Sequence, residues 1–164
     1  MASYLILDGY NVIGALTRYR EAGSLDAARE LLVNDALKAA GWTGRRMIVV
    51  FDAQGGAEPE RIEVLAGGAA RVVYSAPGES ADDVIERLLA RLEGSAVVYT
   101  ADFALQRTAL ARGSTRATPR EFEALLDELP ALTRNPTPPR RTTLADRLSP
   151  ETLRALEEIR RRAK

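Results

Sequence analysis

Residues 4–14 read YLILDGYNVIG and join a short apolar run to an aspartate, a glycine and, two positions further on, an asparagine. The apolar part is continuous rather than alternating, which is typical of a strand buried on both faces of a parallel sheet. Three more runs of this kind follow, MIVVF at 47–51, RVVY at 71–74 and AVVYT at 96–100. The sequence therefore predicts a mostly parallel sheet whose first strand leads directly into Asp8.

Segments with helical spacing of apolar residues separate the predicted strands; they are residues 24–40, 80–92, about 101–113 and 118–126. Ser24 is expected to cap the first of these helices, and Gly41 follows the segment and is expected to end that helix. Ser80 and Asp83 have the spacing of a helix-capping box, and residues 118–121 repeat it with a proline at the first helical position. Strands that alternate with helices indicate an α/β fold with a helix-covered sheet.

The composition excludes several kinds of chemistry. The 164 residues include no cysteine and no histidine, so a disulfide, a thiolate zinc site, a cysteine nucleophile and an imidazole base are all ruled out. Any catalysis must use carboxylates, hydroxyls, lysine, arginine or a metal held by oxygen. No apolar run reaches the roughly 18 residues of a membrane helix, and the N-terminus lacks the features of a signal peptide. We therefore expect a cytoplasmic protein with no membrane partner.

Charge and proline content divide the chain into two parts. Residues 134–164 carry nine Lys or Arg against four Asp or Glu, a net charge of +5, which leaves residues 1–133 at −5. The segment LTRNPTPPRRTTLADRLSP is typical of an extended linker, and a final helix is predicted after it. We thus predict a domain over 1–133 and a basic extension over 134–164. The asymmetry suggests an acidic site beside a basic arm, although solvated helix faces would also explain it.

Acidic residues follow each of the four predicted strands. In open parallel sheets, ligands bind outside the carboxyl ends of the strands, so acids at these positions are candidates for a site. Asp8 and Asp52 directly follow the first two strands, and Asp102 comes two residues after the fourth. The segment SAPGESADD, after the third strand, brings acids to the same edge: Glu79, Asp82 and Asp83.

A cluster of carboxylates favours a divalent cation, because carboxylates held close together repel each other. Oxygen ligands without histidine or cysteine favour Mg²⁺ or Mn²⁺ over zinc. The chemistry that such a centre performs is metal-assisted hydrolysis of phosphodiesters, with one or two ions stabilising the attacking and leaving oxygens.

Several of these polar residues also have a purely structural interpretation. Asp52 could open a turn, and the capping box is the better explanation of Asp83. Asp102 could cap the helix that follows it, and Asn11 could satisfy turn backbone instead of orienting a phosphate or water. Asp8 differs, because no helical pattern is evident directly after it.

The motifs in this order resemble a known family. LILDGYNVI resembles the opening motif of the NYN nucleases, a branch of the PIN-like fold, and in particular the YacP-like group of bacterial endoribonucleases. The similarity continues through VVFDA at 49–53, VVYSAPGESADDVIERLL at 72–89 and VVYTADFALQRTALARGSTRATPREFEALL at 97–126, and reaches LADRLSPETLRALEEIRR at 144–161. It spans nearly the whole chain, with the spacing kept.

The resemblance implies a three-layer α/β/α sandwich that cleaves RNA internally with Mg²⁺ or Mn²⁺. The family's site residues carry over to positions that match its motifs: Asp8, Asp82 and Asp102 as acids, Asn11 as their polar partner, Asp52 at the second strand end, and Asp83 as an alternative to Asp82. Members of the group are associated with ribosomes and translated mRNA, so those partners are implied too. Ala101 is a departure, because the family commonly has Ser or Thr there.

Basic and aromatic residues near the predicted edge are candidates for RNA contacts: Arg18, Arg20, Arg107, Arg140 and Arg141 for phosphates, and Tyr10 and Tyr19 for unpaired bases. For the arginines, simple solvation is a competing explanation. Tyr10 could equally pack beneath the site.

Three functions remain open at this level. An endonuclease acting on single-stranded RNA is favoured, and an RNA- or ribosome-binding module with a decayed nuclease centre is the main alternative. A phosphatase of the haloacid-dehalogenase type also places an aspartate after its first strand, but it needs a second Asp two residues later, and position 10 is Tyr. The sequence leaves the oligomeric state open.

Overall fold

The computed structural model describes residues 2–53 and 60–130. The predicted basic extension over 134–164, its boundary at 133, and the candidate RNA contacts Arg140 and Arg141 lie outside the described residues.

Within residues 2–53 and 60–130, six strands form one sheet: β1 Ser3–Asp8, β2 Arg46–Phe51, β3 Arg61–Leu65, β4 Ala70–Tyr74, β5 Ser95–Tyr99 and β6 Thr115–Ala117. Their order in the sheet is β3-β4-β2-β1-β5-β6. All neighbours are parallel except β3 and β4, which are antiparallel. The four strands predicted from the sequence are confirmed as the parallel core, and β3 and β6 are additions at the two edges.

In the part of the chain that the structure describes, six α-helices surround the sheet: α1 Gly9–Ala15, α2 Thr17–Arg20, α3 Leu25–Thr43, α4 Ala81–Arg91, α5 Phe103–Ala111 and α6 Pro119–Asp127. The predicted caps are confirmed, with both capping boxes formed and the Ser24 side chain accepting a hydrogen bond from the backbone of Ala27. The predicted end of α3 at Gly41 is wrong. The helix continues to Thr43, and Gly44 ends it with the positive φ of 68° that a left-handed cap requires.

A helix does begin directly after Asp8, contrary to the sequence-based expectation. Helix α1 has seven residues, and the Asp8 side chain makes no capping hydrogen bond to it. Its buried residues Val12 and Ile13 pack on the sheet. A segment of two turns without a side-chain cap carries too little periodicity to be recognised, so packing rather than local propensity explains this helix.

The sheet lies between two layers of helices. Leu5 and Leu7 of β1 belong to a core with α1, α3 and α6, whereas Ile6 belongs to a core with α4 and α5. Successive strand residues point to opposite faces, so a continuous apolar strand fills both cores. The α/β/α sandwich is therefore confirmed for the described residues, and among them no helix has the length and apolar character needed to cross a membrane.

Strand β1 is at the point where the strand order changes direction. Its neighbours are β2 on one side and β5 on the other. Helix α1, which follows β1, packs in one layer, and α5, which follows β5, packs in the other. The chain thus diverges to opposite faces beyond these two strand ends, and a crevice at such a switch point is where open α/β sheets bind ligands.

Gly9 allows α1 to approach the sheet closely. A Cβ at this position would lie 2.5 Å from ring carbons of Phe51 and 2.8 Å from the backbone oxygen of Val50.

We expect Gly9→Ala to lower the free energy of unfolding by about 1–3 kcal/mol, because a buried ring and a strand must move. Urea unfolding followed by circular dichroism measures this change.

Gly14 provides the matched control in the same helix, since a Cβ there meets nothing within 4 Å. Gly14→Ala should be neutral or stabilising by up to about 1 kcal/mol, as expected for Gly→Ala within an exposed helix. Equal effects of the two substitutions would contradict the close-packing role of Gly9.

Candidate active site

Asp8 lies at the end of the central strand with its carboxylate buried. The residue is 7% exposed, and the hydroxyl of the buried Thr100 donates a hydrogen bond of 3.0 Å to Oδ2 of Asp8. Burial raises the pKa of the Asp8 carboxyl from its ordinary value of 3.8 to about 6, although the hydrogen bond from Thr100 acts in the opposite direction. Asp8 shares its strand face with Ile6, which points toward α4 and α5.

The segment from residue 100 to residue 102 is held by a set of short hydrogen bonds. The backbone N–H of Asp102 donates to the Thr100 hydroxyl at 3.0 Å, and the backbone N–H of Ala101 donates to Oδ1 of Asn11 at 2.7 Å. The side chain of Gln106 donates to the Thr100 carbonyl at 2.7 Å. These bonds fix the turn between β5 and α5 against the first turn of α1.

Asn11 and Asp102 both fulfil the structural roles considered for them. The amide oxygen of Asn11 is used by the Ala101 backbone, so this atom holds the turn rather than facing a ligand. Oδ1 of Asp102 accepts the backbone N–H of Leu105 at 2.9 Å and caps α5. A cap uses one carboxylate oxygen, and the charge of Asp102 still raises the pKa of Asp8. Asp102 is therefore both a helix cap and a member of the acidic cluster.

The structure separates the roles of the two adjacent aspartates on α4. Asp83 is fully exposed, forms the capping box with Ser80, and has its pKa lowered by those hydrogen bonds. The pKa of Asp82 is raised, first by burial and then by the nearby charge of Asp102. Asp82 is thus the α4 acid that belongs to the cluster. Glu79, which the sequence also places at this edge, instead forms an ion pair of 2.7 Å with Arg87.

Asp52 joins the cluster from the end of β2. Its charge raises the pKa of both Asp8 and Asp82. Beside it, the backbone N–H of Ala53 donates to the buried Ser75 hydroxyl at 2.9 Å, which fastens the end of β2 to the end of β4. Four strand ends therefore contribute one acid each to a common region: Asp8, Asp52, Asp82 and Asp102.

The electrostatics and the donor set of this cluster fit a divalent cation. The charged groups that shift the pKa of Asp8 and Asp82 are all acidic. In residues 2–53 and 60–130, no three acidic side chains already form a ready ligand set. Mg²⁺ does not require one, because it keeps several waters and is commonly held by one or two carboxylates together with substrate phosphates. The oxygen donors of these four residues therefore fit what Mg²⁺ or Mn²⁺ would require of a site that is not a closed protein cage.

Two of the residues considered for RNA contacts are used inside the fold. Arg18 forms an ion pair of 3.0 Å with Asp35, which is 2% exposed, and Tyr19 is buried and donates its hydroxyl to the same carboxylate at 2.8 Å. Lys38 lies 3.7 Å from Asp35 as well. Tyr19 therefore cannot stack on a base, and Arg18 neutralises a buried carboxylate. The stacking role for Tyr19 is wrong.

The other predicted contact residues lie nearer the surface. Tyr10 is half-buried with its ring centre 5.1 Å from that of Phe51, and its hydroxyl accepts a hydrogen bond of 2.8 Å from Arg29. Tyr10 therefore packs within the fold, as the alternative interpretation of this residue expected. Because position 10 is a tyrosine, the chain also lacks the second acid that a haloacid-dehalogenase mechanism needs. Arg20 is exposed and donates to the Thr17 hydroxyl, and Arg107 is exposed on α5.

Sequence reasoning overlooked Thr100, which holds Asp8 and the 100–102 turn together. A polar residue at the end of an otherwise apolar strand, two residues before an aspartate, was the available signal. Ala101 carries no hydroxyl, and the hydroxyl that contacts Asp8 belongs to Thr100, one position earlier.

Comparisons with known proteins show the family to which this chain is similar. A family model described as the YacP-like NYN domain matches residues 5–161. The chain is 33% identical over 125 residues to the protein YacP of Bacillus subtilis (strain 168), an alignment that covers 72% of this chain and 71% of that protein.

Two solved structures are similar to this chain in fold. The crystal structure of Rae1 (YacP) from Bacillus subtilis superimposes with a TM-score of 0.62 at 28% sequence identity, over 96% of this chain and 94% of that chain. A point mutant of the same protein gives a TM-score of 0.64 at 28% identity, over 77% and 76%. The PIN-like α/β fold implied by the motifs is therefore confirmed.

The raised pKa of Asp8 predicts a stabilising substitution. Its folded-state pKa is about 6 against 3.8 ordinarily, so the folded protein loses stability as the pH rises from about 4 to 6 and Asp8 ionises. In EDTA at pH 7, Asp8→Asn should raise the free energy of unfolding by up to about 3 kcal/mol, because the amide oxygen can still accept from Thr100 without carrying charge.

Urea unfolding of both proteins at several pH values measures this difference. The gain should disappear at about pH 3 and below, under the ordinary pKa of 3.8, where Asp8 is largely protonated in both the folded and the unfolded state, so the low-pH comparison is an internal control. A variant that is less stable than the original at pH 7 would contradict the assignment of Asp8 as a strained buried acid.

Proposed function

We propose that this chain, which belongs to the YacP-like NYN domain family, is a metal-dependent endoribonuclease that cleaves single-stranded RNA by hydrolysis of phosphodiester bonds. The observation that carries the proposal is the convergence of four acids from four strand ends on the switch point beside β1, where the charges that perturb Asp8 are acidic themselves. Such an arrangement opposes folding unless a cation is part of the working site.

Asp8, Asp82 and Asp102 are the acids that we assign to hold Mg²⁺ or Mn²⁺, with Asp52 close enough to add its charge. When bound, the ion supplies Lewis-acid stabilisation of the phosphate and activation of the attacking water. Thr100 orients Asp8 by donating to Oδ2, which leaves the other carboxylate oxygen for a ligand.

The remaining residues of the centre act by positioning. Asn11 holds the Ala101 backbone, and this bond fixes Asp102 relative to β1. Because these contacts exist before any substrate binds, the acids need little reorganisation when a phosphate arrives. We extend the proposal to mRNA on ribosomes in the cytoplasm, which rests on the resemblance to the family.

The main alternative is an RNA- or ribosome-binding module of the same fold that has lost catalysis. The observation in its favour is that residues 2–53 and 60–130 contain no ready set of three acidic ligands. Against it, a protein that only binds a polyanion gains nothing from concentrating negative charge at one edge. A cleavage assay distinguishes the endoribonuclease from the binding module.

The first test is incubation of the purified protein with end-labelled single-stranded RNA, and separately with translating ribosomes, in Mg²⁺, Mn²⁺ or EDTA. We expect internal cuts that need the metal, and a loss of roughly 100-fold or more in Asp8→Asn, equivalent to about 3 kcal/mol of transition-state stabilisation. RNA or ribosome binding without cleavage under all conditions would instead support the binding module.

The contrast between Asp82 and Asp83 gives a second test. Asp82→Asn should abolish metal-dependent cleavage, whereas Asp83→Asn should retain it and lower only the thermal unfolding midpoint, because only the α4 cap is weakened. Cleavage rates and thermal unfolding of the two variants measure this difference. Equal loss of cleavage in both would contradict the division of roles between these neighbours.

A further inference from the structure

Phe103 exposes more of its surface than the other large apolar side chains of the described residues. It is 73% exposed, compared with 59% for Val64 and 52% for Trp42. Isolated apolar residues are common on protein surfaces, so exposure alone indicates no function. The position of Phe103, and not its exposure, is what requires an explanation.

Phe103 is the first residue of α5 and directly follows Asp102, a member of the acidic cluster. The turn that precedes it is held by the bonds from Ala101 to Asn11 and from Asp102 to Thr100, at 2.7 and 3.0 Å. The Asp102 side chain then caps the helix through Leu105. The backbone of Phe103 is therefore fixed relative to the acids, and its side chain has only two rotatable bonds.

Arg107 continues the same exposed face of α5. It is four residues after Phe103, and side chains at this spacing are neighbours on a helix surface, about 6 Å apart along the axis. Both are exposed, whereas Leu105, Gln106 and Ala109 form the buried face. Starting from the acids, the surface thus presents an aromatic ring and then a cation.

The other aromatic rings considered do not offer this combination. Tyr19 is buried, and Tyr10 packs against Phe51 with its hydroxyl held by Arg29. Trp42 is exposed, but it lies near the end of α3, which leads into the start of β2. It therefore belongs to the opposite edge of the sheet from the acids.

We propose that Phe103 stacks on an unpaired base next to the phosphate that is cleaved, with Arg107 contacting the RNA backbone beyond it. This inference rests on the proposed endoribonuclease function and adds a residue that positions the substrate. Stacking on an aromatic ring tolerates every base but requires the base to be free of a duplex. Phe103 would thus select single-stranded RNA without selecting a sequence.

The test compares three variants of the full chain: Phe103→Ala, Phe103→Trp and, as a matched exposed aromatic at the opposite edge, Trp42→Ala. Kinetics are measured on a single-stranded RNA with one mapped cleavage site. Loss of a base stack should lower kcat/KM of Phe103→Ala by roughly 5- to 100-fold. Phe103→Trp should retain the original value within a few-fold, and Trp42→Ala should match the original protein.

Abasic substrates distinguish stacking from a structural effect. One nucleotide at a time beside the cleavage site is replaced by an abasic unit. At one position, removal of the base should slow the original protein by a factor similar to that of Phe103→Ala, and should slow Phe103→Ala no further. Thermal unfolding midpoints should be the same for Phe103→Ala and the original protein.

Two results would overturn the inference. Cleavage by Phe103→Ala equal to that of the original protein, with Asp8→Asn inactive, would reject the stacking role and leave the nuclease in place. Equal sensitivity of both proteins to every abasic position would assign any loss in Phe103→Ala to something other than a base.

Binding provides the readout if the original protein does not cleave, which would reject the proposed function itself. The affinity for a fluorescent single-stranded RNA, measured by anisotropy, should then fall in Phe103→Ala and not in Trp42→Ala. Equal affinities of the two variants would reject the stacking contact as well.

Discussion

The rest of this site depends on the buried carboxylate of Asp8 at the end of β1, which accepts a hydrogen bond from Thr100 at the end of the neighbouring strand β5. Two parallel neighbours in register place the ends of these strands side by side, and the helices that follow them leave toward opposite faces. A charge at that point loses much of its solvation, and one hydroxyl offsets only part of the loss. The fold therefore maintains a local strain at the place where it can bind a ligand.

The acids are positioned by the same devices that begin the helices. Asp102 caps α5 and also contributes charge to the cluster. On α4, the capping box uses Asp83, and the preceding residue, Asp82, lies about 100° around the helix and nearer the other acids. Short, local hydrogen bonds thus fix the direction in which each helix leaves the sheet. The hydrogen bonds that begin α4 and α5 thus also place Asp82 and Asp102 at the edge of the sheet where the strands end.

The parts that the sequence revealed are those governed by local rules. Continuous apolar strands and capping boxes are recognisable because they depend on neighbours within four residues. The grouping of the acids could be predicted as well, because a parallel sheet places the ends of its strands at one edge. Strand β3 was not predicted because RIEVL is short and exposed and lacks the continuous apolar run of the buried strands, and α1 was not predicted because it has only seven residues. The ion pair between Arg18 and Asp35 could not be predicted for a different reason: the two residues are 17 positions apart and meet only when α2 packs on α3. Long-range pairing of charges has no local signature, so a surface arginine and a structural one look alike in the sequence.

The distribution of charge near the site sets how RNA could approach it. The cluster repels phosphates, and Arg18, which might have offset that repulsion, neutralises Asp35 instead. Attraction at this edge must therefore come from a bound cation, from positive charge placed away from the acids, or from contacts that are indifferent to charge. In our proposal, the positive charge is that of Arg107 and the uncharged contact is the exposed ring of Phe103, on one face of the same helix. In the proposed nuclease, an edge organised in this way would couple RNA binding to the metal, because the phosphate beside the acids would be held only with the ion present, while the ring would hold the neighbouring nucleotide.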